Sequence, residues 1–147
     1  MPYTNKPLII LIDDDYISNF LTAETIALAY PIQKVISFFD PAEGLEKVKY
    51  HINNGEEIIL LLDINMPTMS GWEVADGITA LGVKKENITI YMLSSSEDIK
   101  DKIKARSYEL VRGYFEKPLL QGDCENIIMK RMEQHQASRS HDVRKSE

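Results

Sequence analysis

Ile58 to Leu62 is an unbroken apolar run, I-I-L-L-L, and it ends on one carboxylate, Asp63. A strand without alternation has no polar face to offer water, so it has to be covered on both sides. That requirement points to a sheet held between two layers. The loop that follows, I-N-M-P-T-M-S, contains a proline and leads to Gly71, which puts Asp63 at the strand's C-terminal end. In open parallel α/β sheets ligands bind beyond those ends, so Asp63 is a candidate for chemistry; the plainer alternative is that it caps a helix beginning near Ser70.

The rest of the chain repeats this unit. Leu8 to Ile12 reads as a short strand broken by Asp13, Asp14 and Asp15. Ile17, Phe20, Leu21, Ala27 and Leu28 then recur near helical spacing until Tyr30-Pro31, where the residue before proline avoids the α region. Val35 to Phe39 is a second strand. Asp40-Pro41 supplies an N-cap and a first-turn proline to a helix whose stripe is Ala42, Leu45, Val48 and Ile52, ending at Asn53-Asn54-Gly55. The third strand, Glu57 to Leu62, leads to a helix from about Gly71 to Leu81 that buries Trp72, Ala75 and Ile78. Gly77 inside it costs about 1 kcal/mol relative to alanine. Ile88 to Leu93 is strand four, with Ser96 as the expected N-cap of a fourth helix that turns Ile99 and Ile103 inward and solvates Asp98, Lys100, Asp101, Lys102 and Lys104. Val111 to Glu116 is strand five, closed by Lys117-Pro118. A last helix runs from roughly Leu119 to Gln134 on Ile127, Ile128 and Met132.

Strict alternation of strands and helices implies a parallel sheet with helices on both faces, since each crossover is right-handed and must pack back on the sheet. Five units suit a flavodoxin-like doubly wound fold, order 2-1-3-4-5, with five helices. Strands one and three are then neighbours, and Asp13, Asp14 and Asp63 converge at their ends. Strand four adds Ser94 and strand five adds Lys117 to the same mouth. Two carboxylates about 4 Å apart repel by about 4 kcal/mol at an effective dielectric near 20, so a cation is required. Lys117 answers part of that, and an oxygen-only cluster suits a divalent ion, Mg2+ above all, with Mn2+ as an alternative. Ion, lysine and the Ser94 hydroxyl would surround a tetrahedral anion on Asp63, which is a phosphoryl-transfer site with a carboxylate nucleophile.

With I-D-D-D after strand one, L-L-D-I-N-M-P-T-M-S-G around strand three, L-S-S-S after strand four and G-Y-F-E-K-P-L at strand five, the chain resembles the receiver domain of bacterial two-component response regulators, of the stand-alone type. The resemblance spans about residues 7 to 134. It implies that Asp63 is the phosphoacceptor, Asp14 a direct Mg2+ ligand, Asp13 a ligand directly or through water, and Asn65 a ligand through its backbone carbonyl. It also implies that Ser94 is the switch hydroxyl, Lys117 the phosphate partner, Tyr114 the aromatic that moves with Ser94, and Lys117-Pro118 a cis bond. Spacing alone does not say which adjacent pair among Asp13, Asp14 and Asp15 faces the metal. Ser94 stands where the family more often has threonine.

The implied activity is signalling: a histidine kinase or histidine phosphotransfer protein phosphorylates Asp63, and the chain catalyses only its own phosphorylation and dephosphorylation. The output passes to a downstream protein or along a phosphorelay, with homodimerisation through helix four, strand five and helix five as a further expectation. A phosphorylation-independent binding module is one rival. A Mg2+-dependent phosphatase of the haloacid-dehalogenase type is another, weakened because Asn65 stands where that chemistry needs a general acid. A net charge of -6 disfavours nonspecific nucleic-acid binding, and no DNA-binding domain is expected. At 147 residues the chain suits one domain, 7-134, with a polar, disordered tail at 135-147. The lack of a signal-like start or a membrane-length apolar run points to the cytoplasm, and the single Cys124 to no internal disulfide. Cys124 reads as a passive helix residue, and His51, His135 and His141 as neither ligands nor phosphohistidines.

Overall fold

A computed structural model describes residues 7–31 and 34–131. Met132, His135, His141 and the expected tail at 135–147 lie outside the described residues. The strands are β1 (Leu8–Ile12), β2 (Val35–Phe38), β3 (Ile58–Asp63), β4 (Ile88–Ser94) and β5 (Val111–Glu116). Between them lie α1 (Tyr16–Ala29), α2 (Pro41–Asn53), α3 (Gly71–Thr79) and α4 (Ile99–Arg106), and a fifth helix, α5, covers residues 121–131. All strands pair in parallel in the order β2-β1-β3-β4-β5, so the expected doubly wound topology is the observed one.

Two apolar layers hold this sheet, divided by the two-residue period of the strands. Ile10, Ile12, Leu60, Leu62, Ile90 and Met92 face α2 and α3, where Val48, Trp72, Val74, Ala75 and Ile78 close the layer. Ile9, Leu11, Ile59, Leu61, Tyr91 and Leu93 face α1 and α5, meeting Ile26, Cys124 and Ile127. The central strands β1 and β3 are buried along their whole length, which is why they carry no alternation.

α2 begins as the sequence indicates: Asp40 accepts a hydrogen bond from the Ala42 amide and Pro41 opens the first turn. Within its stripe Val48 is buried and Leu45 and Ile52 are half-buried, while Ala42 faces solvent because Pro41 and Gly44 take the inward positions. Asp40→Ala should destabilise the fold by about 1 kcal/mol, read as a lower urea midpoint with an unchanged slope. Gly77 has a packing reason, since a Cβ there would lie 3.0 Å from Leu45 of α2.

Two helices face differently from what their apolar spacing indicates. In α1 the buried residues are Asn19, Thr22 and Ile26, whereas Ile17, Phe20, Leu21, Ala27 and Leu28 are exposed. The stripe exists, and it points outward. The helix is turned by its first-turn bonds: Asp15 accepts from the Ile17 and Ser18 amides, and the buried Asn19 amide group donates to the carbonyls of Asp13 and Phe38, joining the ends of β1 and β2. In α4 the cap is Asp98, which accepts from the Lys100 amide, and not Ser96. Ser96 is engaged in a turn, its amide donating to Ser94 Oγ and its carbonyl accepting from the Tyr114 hydroxyl. Ile99 and Ile103 are 70% and 59% exposed, and only Ala105 of α4 is buried. Polar and aromatic contacts to α3 hold this helix instead. Trp72 Nε1 donates to Asp101, Lys104 lies over the Trp72 ring, and Tyr108 stacks on Trp72 while donating to Asp76.

Candidate functional site

β1 and β3 run in register, Ile12 beside Leu62, so the next residues of each, Asp13 and Asp63, emerge side by side at the C-terminal edge of the sheet. On the far side of β4, Ser94 pairs with Glu116 of β5, and the Lys117 amide donates to the Ser94 carbonyl at 2.7 Å. This anchors the backbone from which the Lys117 side chain crosses to the acids. Its Nζ lies 2.8 Å from Asp13 Oδ2 and 3.0 Å from Asp63 Oδ1, bridging the two. The peptide bond that follows, Lys117–Pro118, is cis.

Asp13 and Asp63 are buried and Asp14 is half-buried, while Asp15 is exposed and committed to capping α1. That division separates three consecutive acids by job. One oxygen from each of Asp13, Asp14 and Asp63 lies within 4.8 Å of the others. Ser70, not Asp63, caps α3 by accepting from the Glu73 amide, which leaves the Asp63 carboxylate to the cleft. The cleft has a volume of about 600 Å³, and its polar lining is Asp14, Asp15, Ser18, Thr22, Asp63, Asn65, Ser95 and Lys117.

The electrostatics of this group follow from crowding. Burial first, then the charge of Asp13, raises the Asp63 carboxyl from an ordinary 3.8 to about 6, against the opposing pull of Lys117. Burial pulls the Lys117 amine down, but its bond to Asp13 and the charges of both aspartates outweigh that, and it ends above its ordinary value. One lysine therefore leaves the cluster short of positive charge. The donor set is hard oxygen, partly open and underneutralised, and those features fit a divalent cation.

Ser94 is fully buried, and its neighbour Ser95 is the β4-end hydroxyl residue that lines the cleft. Tyr114 stands apart from the acids. Its hydroxyl donates to the Ser96 carbonyl, and Lys102 lies 5.7 Å from its ring centre, so it ties β5 to the loop that carries Ser94 toward α4. Three polar residues of α1 were not singled out by the sequence: Ser18, whose hydroxyl donates to Asp13 Oδ2 at 2.6 Å, Asn19, which holds the Asp13 carbonyl, and Thr22, which lines the cleft. Their signal was polar side chains at positions 18, 19 and 22, directly after three acids. The apolar stripe masked it.

The response regulator receiver domain family matches residues 9–129. The chain belongs to that family. A two-component response regulator from Cytophaga hutchinsonii is 29% identical, with 87% of this chain and 99% of that one covered and a TM-score of 0.78. Two further structures share the fold of this receiver domain. A response regulator receiver protein from Dyadobacter fermentans is 18% identical over 86% of this chain and 98% of that one (TM-score 0.75). A two-component response regulator from Legionella pneumophila is 22% identical over 87% and 99% (TM-score 0.72). No curated protein matches. Among the described residues no helix is long and apolar enough to cross a membrane.

Proposed function

We propose that Asp63 of this receiver domain accepts a phosphoryl group from the phosphohistidine of a histidine kinase or histidine phosphotransfer protein. The observation that carries the reading is the Asp13, Lys117, Asp63 bridge at the floor of an open cleft. An Asp63 oxygen attacks phosphorus as the donor's P–N bond breaks, and Lys117 shifts from neutralising carboxylates to neutralising the transferred oxygens. Asp14 and Asp63, with the Asn65 carbonyl, would hold Mg2+ directly and Asp13 through water, and the ion would supply the further positive charge that phosphoryl oxygens and carboxylates need in one place.

Ser94 and Tyr114 carry the response. Ser94 is buried at the end of β4, one residue past the Leu93 that pairs with Asp63, and it shares the β4–α4 turn with Ser96, to which Tyr114 is bonded. A phosphoryl group that draws the Ser94 hydroxyl inward therefore pulls on the turn that Tyr114 holds, and biases the α4–β5–α5 face on which Ile99 and Ile103 are already exposed. That face is the one offered to a downstream partner or a second copy. The chain's own chemistry is limited to gaining and losing this group.

The test uses purified protein with Mg2+ and acetyl phosphate. The expected result is a mass gain of one phosphoryl group, mapped to the peptide containing Asp63 and abolished by a chelator. No gain, or a gain mapped elsewhere, would overturn the reading.

A further inference from the structure

We propose that Ser18 is a positioning residue for this reaction, holding the Asp13 carboxylate on Lys117 and out of direct contact with the metal. The inference rests on the phosphoacceptor reading of Asp63. An ionised carboxylate offers about four acceptor positions. For Asp13, three are filled by protein donors: Oδ1 accepts the Asp15 amide at 3.0 Å, and Oδ2 accepts both the Ser18 hydroxyl at 2.6 Å and Lys117 Nζ at 2.8 Å. Asp13 is thereby turned into a lysine holder; of the acids that line the cleft, Asp15 is committed to capping α1, which leaves Asp14 and Asp63.

Ser18 is itself fixed for the task. Its amide donates to the Asp15 cap, so backbone and hydroxyl are pinned to two of the three consecutive acids from one helical turn. Asn19 next to it fixes the Asp13 carbonyl. Together they explain why α1 turns polar residues inward and leaves Ile17, Phe20 and Leu21 exposed, an arrangement that apolar burial alone disfavours.

Removing the hydroxyl has two consequences of opposite sign. Asp13 Oδ2 keeps only Lys117 and becomes freer to turn toward a cation between Asp14 and Asp63, so metal binding tightens. Lys117 then loses its second partner and settles on Asp63, masking the nucleophile, so phosphoryl transfer slows. A general loosening of the site weakens both.

The experiment compares the full chain with Ser18→Ala and Ser18→Thr. Mg2+ affinity is measured by titration calorimetry without phosphodonor, and phosphorylation by acetyl phosphate at saturating Mg2+. Ser18→Ala should bind Mg2+ about three- to tenfold more tightly and be phosphorylated about tenfold more slowly, the scale of one hydrogen bond to a charged group. Ser18→Thr, which keeps the hydroxyl, should stay within about twofold of the parent in both. An alanine variant that matches the parent, or that loses in both measurements, overturns the role of Ser18. If the parent binds Mg2+ but takes up no phosphoryl group, the phosphoacceptor reading fails instead, and unchanged or weaker Mg2+ binding by Ser18→Ala then still decides against the inference.

Discussion

Asp63→Asn is expected to end phosphoryl incorporation and, in the same molecule, to make the metal-free protein more stable above pH 7. The first effect follows because an amide cannot form the acyl phosphate. The second follows from linkage. The Asp63 carboxyl has a folded pKa of about 6 against an ordinary 3.8, raised by burial and by Asp13. A raised value means that the folded state holds the proton more tightly. The stabilisation is then complete below the unfolded pKa and lost as pH rises through the folded one, so the charged carboxylate weighs against folding above about pH 6. Asparagine does not titrate, and Lys117 keeps Asp13 as its partner in the variant. Urea unfolding in chelator should show the variant about 1 to 3 kcal/mol more stable at pH 8, with the gap closing toward pH 4. Added Mg2+ should narrow the gap at pH 8 by binding the parent more strongly. A variant that is no more stable than the parent at pH 8 would mean that Asp63 is not under the electrostatic load its surroundings impose.

The parts of this site that could be read from sequence are those at strand ends. Asp13 and Asp63 each terminate an apolar run and Lys117 directly follows β5, and once five strands alternate with helices the topology brings their ends together without knowledge of any side-chain contact. Helix facing could not be read in the same way. A stripe such as Ile17, Phe20, Leu21 and Leu28 shows that one side of α1 is apolar, and periodicity carries no information on whether that side meets the sheet or solvent. The deciding bonds, from Asn19 to the carbonyls of Asp13 and Phe38, join the ends of two strands, and the apolar neighbours of Asn19 masked the polar residue that makes them. α4 misled for a related reason. Its attachment rests on Trp72, Asp101, Lys104 and Tyr108, drawn from different elements, so Ile99 and Ile103 were free to face outward. Ser18 was hidden by both effects, being a polar residue inside a helix whose apolar neighbours invited the opposite orientation.

Gly71→Ala should be among the most damaging single changes in the chain, although residue 71 carries no functional group. A Cβ at this position would lie 2.3 Å from the Asp63 carbonyl oxygen, 2.9 Å from Ile64 Cα and 3.0 Å from the Asp63 carbonyl carbon. All three are backbone atoms and none can rotate away. The Gly71 amide also donates to the Ile64 carbonyl at 2.8 Å, so the start of α3 is clamped to the chain just past Asp63. An alanine must either lift α3 off the sheet, opening the layer that Trp72, Ala75 and Ile78 close, or push Asp63 out of its register with Asp13 and Lys117. The expected cost is about 2 to 4 kcal/mol in urea unfolding. Displacing the Asp63 carboxylate by about 1 Å should also slow phosphorylation by acetyl phosphate about a hundredfold at saturating Mg2+. Gly77→Ala is the matched control, because the nearest atom to its Cβ is the terminal Leu45 Cδ2 at 3.0 Å, the movable end of a flexible side chain. It should stay within about 1 kcal/mol of the parent, its gain in helix propensity offset by crowding. If both glycine variants unfold and react alike, the close approach of α3 to Asp63 is not what positions its carboxylate.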